Sequence, residues 1–186
     1  RSRAWSSGGE RCRCWWPRRS VEILYGATGR HGRGVIGFGG VQDGREAALN
    51  TTGGFDLDAG ATESSAAGPA MATARAYCAA VRLDAHRVLV VGGSNHVFSS
   101  TGSMDTTEIL DLETMRFSAG PTMLSKRFRF AAIALDARRV LVAGGRDENG
   151  NYHRTTECLD LATMTFAPGP YMLAQRSVLY LIHIRR

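Results

Sequence analysis

The sequence is short of several features that would point to particular classes of protein. Lysine occurs once, at Lys126, against 22 arginines. No apolar run approaches the roughly 20 residues that a membrane-spanning helix needs, and no signal-peptide-like apolar segment stands at the start. No segment of helical length has a 3.6-residue apolar period, apart from an ambiguous run at 45–49. We therefore expect a protein that lacks a membrane segment, with the cytoplasm as the favoured compartment.

Metal-binding and disulfide patterns are also missing. Only two of the four cysteines, Cys12 and Cys14, are close together, and no second pair completes a zinc site. The five histidines are scattered, without the spacing of metal ligands. We expect neither a structural metal nor a cofactor.

The formal net charge of +6 is confined to one end of the chain. Residues 1–33 contain eight arginines and two glutamates, whereas the remaining residues contain fifteen basic and fifteen acidic side chains. A basic terminal segment can attract nucleic acid or an acidic lipid surface. Charged ends are more often disordered, so we treat 1–33 as a basic Gly/Arg-rich segment, disordered or not native, and expect no nucleic-acid or membrane partner.

The rest of the chain is built from internal repeats. Three octets share the pattern G-P-x-M-x-x-x-R, at 68–75, 120–127 and 169–176. Longer segments repeat in the same register: "LDAHRVLVVGG" matches "LDARRVLVAGG", and "TTEILDLETMRFSAGP" matches "TTECLDLATMTFAPGP". A repeat of about 50 residues is typical of architectures assembled from one supersecondary unit.

Each repeat predicts four short strands. In the last complete copy these are "FRFAAIALD" (128–136), "RVLVAGG" (139–145), "TTECLDL" (155–161) and "MTFAPGP" (164–170), separated by turn residues. Four strands in about 50 residues match the size of one propeller blade.

The repeated residues resemble the kelch family. The resemblance rests on a Gly-Gly pair after an apolar strand, then T-x-E-x-x-D-x-x-T, an aromatic residue, a Met and an Arg. The second copy carries it at Gly92, Gly93, Thr106, Glu108, Asp111, Thr114, Phe117, Met123 and Arg127. The third copy carries it at Gly144, Gly145, Thr155, Glu157, Asp160, Thr163, Phe166, Met172 and Arg176. The first copy departs from it, since Gly53 stands where the others have Glu.

This resemblance implies an all-β fold, a kelch-type β-propeller segment of about three four-stranded blades in an incomplete ring. The expected repeats are 34–74, 75–126 and 127–175, with the start of a fourth at 176–186. Propellers close with about four to eight blades, so further blades or self-association would be needed to close the ring.

The resemblance also implies a non-catalytic scaffold that binds a protein partner through variable loops on a rigid framework. Those loops are 41–50, 94–105 and 146–154. The polar candidates within them are Asn95, His96, Arg146, Asp147, Asn151 and His153. The octet arginines Arg75, Arg127 and Arg176 are expected beside the loops, as partner-binding residues or in structural contacts with Glu108 or Glu157.

A glycine-rich stretch supports a different hypothesis. Residues 23–36 resemble the start of short-chain reductases, with strand "VEILY" followed by Gly26, Gly29 and Gly32. Such glycines bring backbone N–H groups to a pyrophosphate at a helix N-terminus, which implies NAD(P) binding. The glycines at 34, 37, 39 and 40 oppose the required helix. A galactose-oxidase-like copper enzyme would need a cluster of Tyr, His and Cys that the sequence does not show.

Overall fold

The computed structural model describes residues 21–25, 34–41, 47–56, 66–96 and 101–177. Within these ranges the chain is all-β and forms no helix, which confirms the predicted fold class at that level. Of the ambiguous run at 45–49, residues 47–49 are not helical and the first two lie outside the described ranges. The strands form three four-stranded antiparallel sheets.

The strands lie side by side in chain order in every sheet, so consecutive strands are joined by hairpins. The first sheet contains β1 (Val21–Tyr25), β2 (Gly34–Phe38), β3 (Thr52–Asp56) and β4 (Ala66–Ala67). The second sheet contains β5 (Ala79–Arg82), β6 (Arg87–Val91), β7 (Thr107–Asp111) and β8 (Arg116–Ala119). The third sheet contains β9 (Ala131–Ala134), β10 (Arg139–Ala143), β11 (Thr156–Asp160) and β12 (Thr165–Pro168).

The four strands predicted for the last complete repeat are confirmed as β9 to β12. The central strand β10 has a largely buried apolar sequence and is followed directly by Gly144 and Gly145, both with positive φ. A Cβ on Gly145 would lie 2.8 Å from the carbonyl oxygen of Phe128. Glycine is therefore required here, because the chain leaves the sheet in close contact with the segment that leads in from the preceding sheet.

The first sheet begins earlier than the repeat register suggested. The strand "VEILY" is present as β1, but it pairs antiparallel with β2 and so belongs to the first sheet. The boundary drawn at residue 34 thus falls inside that sheet. The offset between repeats did not place β1 in the first sheet, because the connection from β1 to β2 has eight residues (26–33). The same connection has four residues in the other sheets (83–86 and 135–138).

Two apolar layers hold the sheets together. One layer contains residues of the first and second sheets, including Phe38, Val88 and Val90. The other contains residues of the second and third sheets, including Leu89 and Val142. Alternate residues of β6 enter opposite layers, as the two-residue period of a strand requires, so β6 is buried on both faces.

The sheets follow one another through their first strands, with β1 beside β5 and β5 beside β9. Antiparallel pairing places the connection between the second and third strands at the same end as the link to the next sheet. We call this the loop end, because it carries the variable loops. The opposite end carries the turns between strands one and two and between strands three and four, and we call it the turn end.

Candidate functional site

The octet arginine Arg127 joins the second and third sheets. Its carbonyl oxygen accepts a hydrogen bond from the N–H of Gly93 on the second sheet, at 2.9 Å. Its guanidinium reaches the third sheet, where Nη1 donates to the carbonyl oxygens of Gly144 (2.9 Å) and Thr155 (3.1 Å). Nη2 forms an ion pair with Glu157 at 2.9 Å. Backbone and side chain of one residue therefore connect two sheets.

Arg75 repeats this arrangement between the first and second sheets. Its carbonyl oxygen accepts from Gly40, and its guanidinium donates to Gly92 and pairs with Glu108 at 3.0 Å. Both arginines are fully buried, and their carboxylate partners are buried as well. The carboxylates also accept backbone N–H groups, at Ala72 for the first pair and Leu124 for the second. We call each of these assemblies a joint.

The joints explain most of the repeated motif. Thr107 and Thr156 each donate their hydroxyl to the carbonyl oxygen of the octet proline, at 2.7 Å, and Thr52 does the same in the first sheet. Asp111 and Asp160 accept backbone N–H groups in the turns that follow. Buried charges need a partner and full hydrogen bonding. The structural contact expected of Arg75 and Arg127 is thus present, and neither side chain is accessible to a partner.

Arg176 has the same backbone position but a different environment. Its carbonyl oxygen accepts from Gly145 at 2.8 Å, as the other two octet arginines accept from Gly93 and Gly40. Its side chain is exposed and makes no hydrogen bond or ion pair with any residue that the structure describes. Of the three arginines expected beside the loops, this one alone presents its guanidinium to solvent.

The loop after β6 is described at 94–96 and 101–105. Ser94 is buried, and its hydroxyl donates to the carbonyl oxygen of His96 and accepts from the N–H of the same residue. Asn95 and His96 are exposed beside it, and His96 bridges to Ala47 of the neighbouring loop. The two predicted candidates of this loop therefore lie at the surface.

The loop after β10 is a tight turn organised by Asp147. This carboxylate accepts hydrogen bonds from the N–H groups of Asn149 and Asn151 and from the amide of Asn151. Partial burial acts to raise its pKa, but these hydrogen bonds hold the pKa below its usual value. Arg146 donates to the carbonyl of Gly150 and stacks over the ring of Tyr152, with 4.7 Å from its guanidinium carbon to the ring centroid. The candidates Arg146, Asp147 and Asn151 thus belong to one hydrogen-bonded turn.

His153 is half-buried next to the second joint. Its Nδ1 lies 3.4 Å from the hydroxyl of Thr155, and its buried Nε2 has no partner among the described residues. Burial and the neighbouring charge of Arg127 lower its pKa below the usual value. The equivalent position of the first joint holds Met104, whose sulfur contacts Arg75. His153 is therefore a neighbour of the joint as well as a loop residue.

Sequence reasoning missed the aromatic and apolar residues at the loop end. Arg154 stacks on Tyr171, and the guanidinium of Arg129 lies over the rings of Tyr77 and Phe128. Large exposed hydrophobic residues of this end are Leu124, Tyr152, Tyr171 and Leu173, with exposures of 56%, 45%, 69% and 105%. Within the described ranges the turn end has one, Met115. The sequence repeat could have indicated the two leucines, because Leu124 and Leu173 each follow the octet methionine directly.

The aspartates at the turn end form ion pairs or hydrogen bonds within their own turns. Asp84 pairs with Arg87, and Asp136 pairs with Arg139, both at 2.7 Å. The hydrogen bond from Arg139 holds the pKa of Asp136 below its usual value. Arginines without a carboxylate partner among the described residues occur at both ends, at 129, 146, 154 and 176 on the loop end and at 82, 116 and 138 on the turn end. The described loop end therefore differs from the turn end in its exposed tyrosines and leucines and in the arginines that stack on the tyrosines.

The glycine-rich stretch proposed for NAD(P) binding, with Gly26, Gly29 and Gly32, lies outside the described residues. The strands on either side of it are described, and they form an antiparallel hairpin. A dinucleotide-binding turn runs from a strand into a crossover helix, which leads to a parallel strand. Eight residues between antiparallel strands do not provide that framework.

Reactive and metal-binding groups are few in the part of the chain that the structure describes. It contains no group of three or more His, Cys, Asp or Glu side chains placed to hold a metal ion. Burial raises the pKa of the Cys78 thiol to about 11, so it packs as an apolar group. Among the described residues there is also no helix of sufficient length and apolarity to cross a membrane. The chain matches no model of a known protein family, and no curated protein is significantly similar to it.

Proposed function

We propose that this chain is part of a kelch-type β-propeller that acts as a non-catalytic protein-interaction module. Three features support the architecture: the 50-residue repeat, the three four-stranded antiparallel sheets, and the succession of their first strands, β1 to β5 to β9. In a propeller, the first strands of successive blades surround the central axis. The repeated glycine pairs and octets then connect one blade to the next.

The partner binds at the loop end. The observation that carries this proposal is the concentration there of exposed Leu and Tyr side chains, with arginines stacked on Tyr152 and Tyr171. Tyr and Arg are over-represented among the residues that contribute most to protein–protein binding. Arginine stacked on tyrosine is held in place, so less conformational entropy is lost when a partner binds. The polar candidates Asn95, His96, Asp147 and Asn151 lie in loops of the same end.

Two matched double variants test the proposal. Arg146→Ala/Tyr152→Ser removes one stacked pair at the loop end, and Arg138→Ala/Met115→Ser removes one exposed arginine and one exposed hydrophobic residue at the turn end. Each variant, and the parent chain, is immobilised and exposed to the same cell extract, and captured proteins are quantified by mass spectrometry. We expect a specific protein to be captured by the parent and the turn-end variant, with at least tenfold less on the loop-end variant.

Equal capture by all three chains would contradict a partner site at the loop end, as would loss on the turn-end variant alone. Folding of both variants is checked by far-UV circular dichroism and thermal unfolding. Asn95→Ala serves as a further loop-end change with little effect on packing, because that side chain is exposed. Saturable binding of NADPH, lost in Gly29→Val, would overturn the non-catalytic assignment.

A further inference from the structure

The two faces of the third sheet differ in how well they are covered. One face, including Val142 and Leu159, packs against the second sheet and is buried. The other face carries a row of paired residues, Ile133, Leu141 and Cys158, that are only half-buried. We call this second surface the open face. It is apolar, and no described sheet covers it.

The second sheet shows what normally covers such a face. Its equivalent row is Val81, Leu89 and Ile109, which contacts the third sheet, and Leu89 is completely buried. The octet methionine behaves in the same way. Met71 and Met123 are buried between sheets, whereas Met172, at the equivalent position of the third copy, is half-buried. The sheet that covers these faces of the first and second sheets is in each case the next four-stranded unit of the repeat.

Arg176 adds a charge requirement to the open face. Its backbone is already bound to the third sheet through Gly145, as Arg127 is bound to the second sheet through Gly93. At the two completed joints the guanidinium then meets a glycine carbonyl, a threonine and a glutamate of the next sheet. The glutamate is essential there, because a buried guanidinium without a counter-charge is strongly unfavourable.

We propose that the open face is a docking surface for a further four-stranded unit of this repeat that carries a Thr-x-Glu sequence at the start of its third strand. The glutamate forms a buried ion pair with Arg176, and the apolar face of the unit covers Leu141, Cys158 and Met172. This inference rests on the proposed propeller architecture and on the two completed joints, and it is independent of whether the loop end binds a partner.

The same requirement selects against a second copy of this chain that docks by its first sheet. Thr52 of β3 is equivalent to Thr107 and Thr156, which directly precede the joint glutamates, since all three donate to the carbonyl oxygen of the octet proline. The glutamate position that follows is therefore Gly53. A joint made with this sheet would bury Arg176 without a carboxylate. The occupant is a glutamate-carrying unit rather than the first sheet of another copy.

An extended chain tests the proposal directly. Residues 177–186 are replaced by a copy of residues 128–177, so that the appended glutamate follows Arg176 at the spacing that separates Arg127 from Glu157. The appended copy carries Ile at its own cysteine position. Labelling of Cys158 by a thiol reagent is then followed by peptide mass spectrometry. We expect labelling at least tenfold slower than in the parent chain.

Two variants of the extended chain isolate the charge requirement. Glu→Gln in the appended copy alone and Arg176→Met alone are each expected to remove most of the protection of Cys158. Arg176→Met in the parent chain is expected to leave labelling unchanged. Changing both residues, with Arg176→Met and an appended Leu, is expected to restore protection, because an apolar pair replaces the ion pair.

Three outcomes would overturn the proposal. One is unchanged labelling of Cys158 in an extended chain whose circular dichroism and unfolding show that the appended unit is folded. Another is full protection that persists with the Gln variant, which would remove the glutamate requirement. The third is a parent chain that dimerises in sedimentation experiments with Cys158 already protected, which would assign the open face to a second copy.

Discussion

Arg127 and Arg176 end octets of the same pattern, yet one is buried in a joint and the other is exposed to solvent. Their backbones bind the preceding sheet in the same way. The difference comes from what lies beyond them, since Arg127 meets Glu157 of the third sheet and Arg176 meets no described carboxylate. The comparison shows that this octet is one half of a structural connection, and that the neighbouring unit determines the energetic role of its arginine.

Substitution of the two arginines is expected to give the largest contrast. Arg127→Met leaves Glu157 buried without its counter-charge, so we expect it to lower the free energy of unfolding by about 3–5 kcal/mol. Arg176→Met changes an exposed side chain, with an expected effect within about 0.5 kcal/mol. Urea unfolding followed by circular dichroism measures both.

A control separates the charge effect from lost packing. Arg127→Met combined with Glu157→Leu removes both charges, and we expect it to recover most of the stability lost in the single variant. If Arg176→Met were as destabilising as Arg127→Met, the two arginines would have equivalent roles and the comparison would fail.

Two leucines at equivalent positions are expected to give a smaller contrast. Leu89 is completely buried between the second and third sheets, whereas Leu141 lies half-buried on the open face. We expect Leu89→Ala to lower the free energy of unfolding by about 3 kcal/mol, since it leaves a cavity. Leu141→Ala removes partly solvated surface and is expected to lower it by about 1 kcal/mol.

Thermal and urea unfolding of both leucine variants provide the measurement, with Leu89→Met and Leu141→Met as volume-conserving controls. Equal losses for the two Ala variants would indicate that the open face is packed as tightly as the covered one.

The sequence was sufficient to predict the strands of the second and third sheets, because strand-like apolar segments and turn residues recur in register. It also suggested the contact between the octet arginines and the repeated glutamates. It did not predict the place of β1, because the longer connection at 26–33 shifts that strand out of the repeat offset. Nor did it predict the different exposure of Arg127 and Arg176, since burial depends on a neighbouring sheet that the octet itself does not encode.

The residues that stack at the loop end were harder to anticipate. Arg146 and Tyr152 lie six positions apart, and only the turn around Asp147 brings their side chains together. Arg154 and Tyr171 come from different segments of the third repeat. Such contacts depend on loop conformation, which varies between the copies, whereas the joints use residues that every complete copy repeats.

The smallest expected effect is a pH dependence centred on His153, the position that holds Met104 in the first joint. Burial and Arg127 lower the pKa of His153 in the folded protein, whereas the unfolded chain has the usual value near 6.5. As pH falls below about 6.5, the unfolded chain takes up a proton that the folded protein resists, so stability decreases. His153→Met, which copies the first joint, is expected to make the unfolding free energy less dependent on pH between about 7 and 5. Urea unfolding across this range measures the slope, and Arg127→Met is expected to reduce it as well, because it removes one cause of the lowered pKa. A slope unchanged by His153→Met would show that protonation of His153 does not affect the second joint.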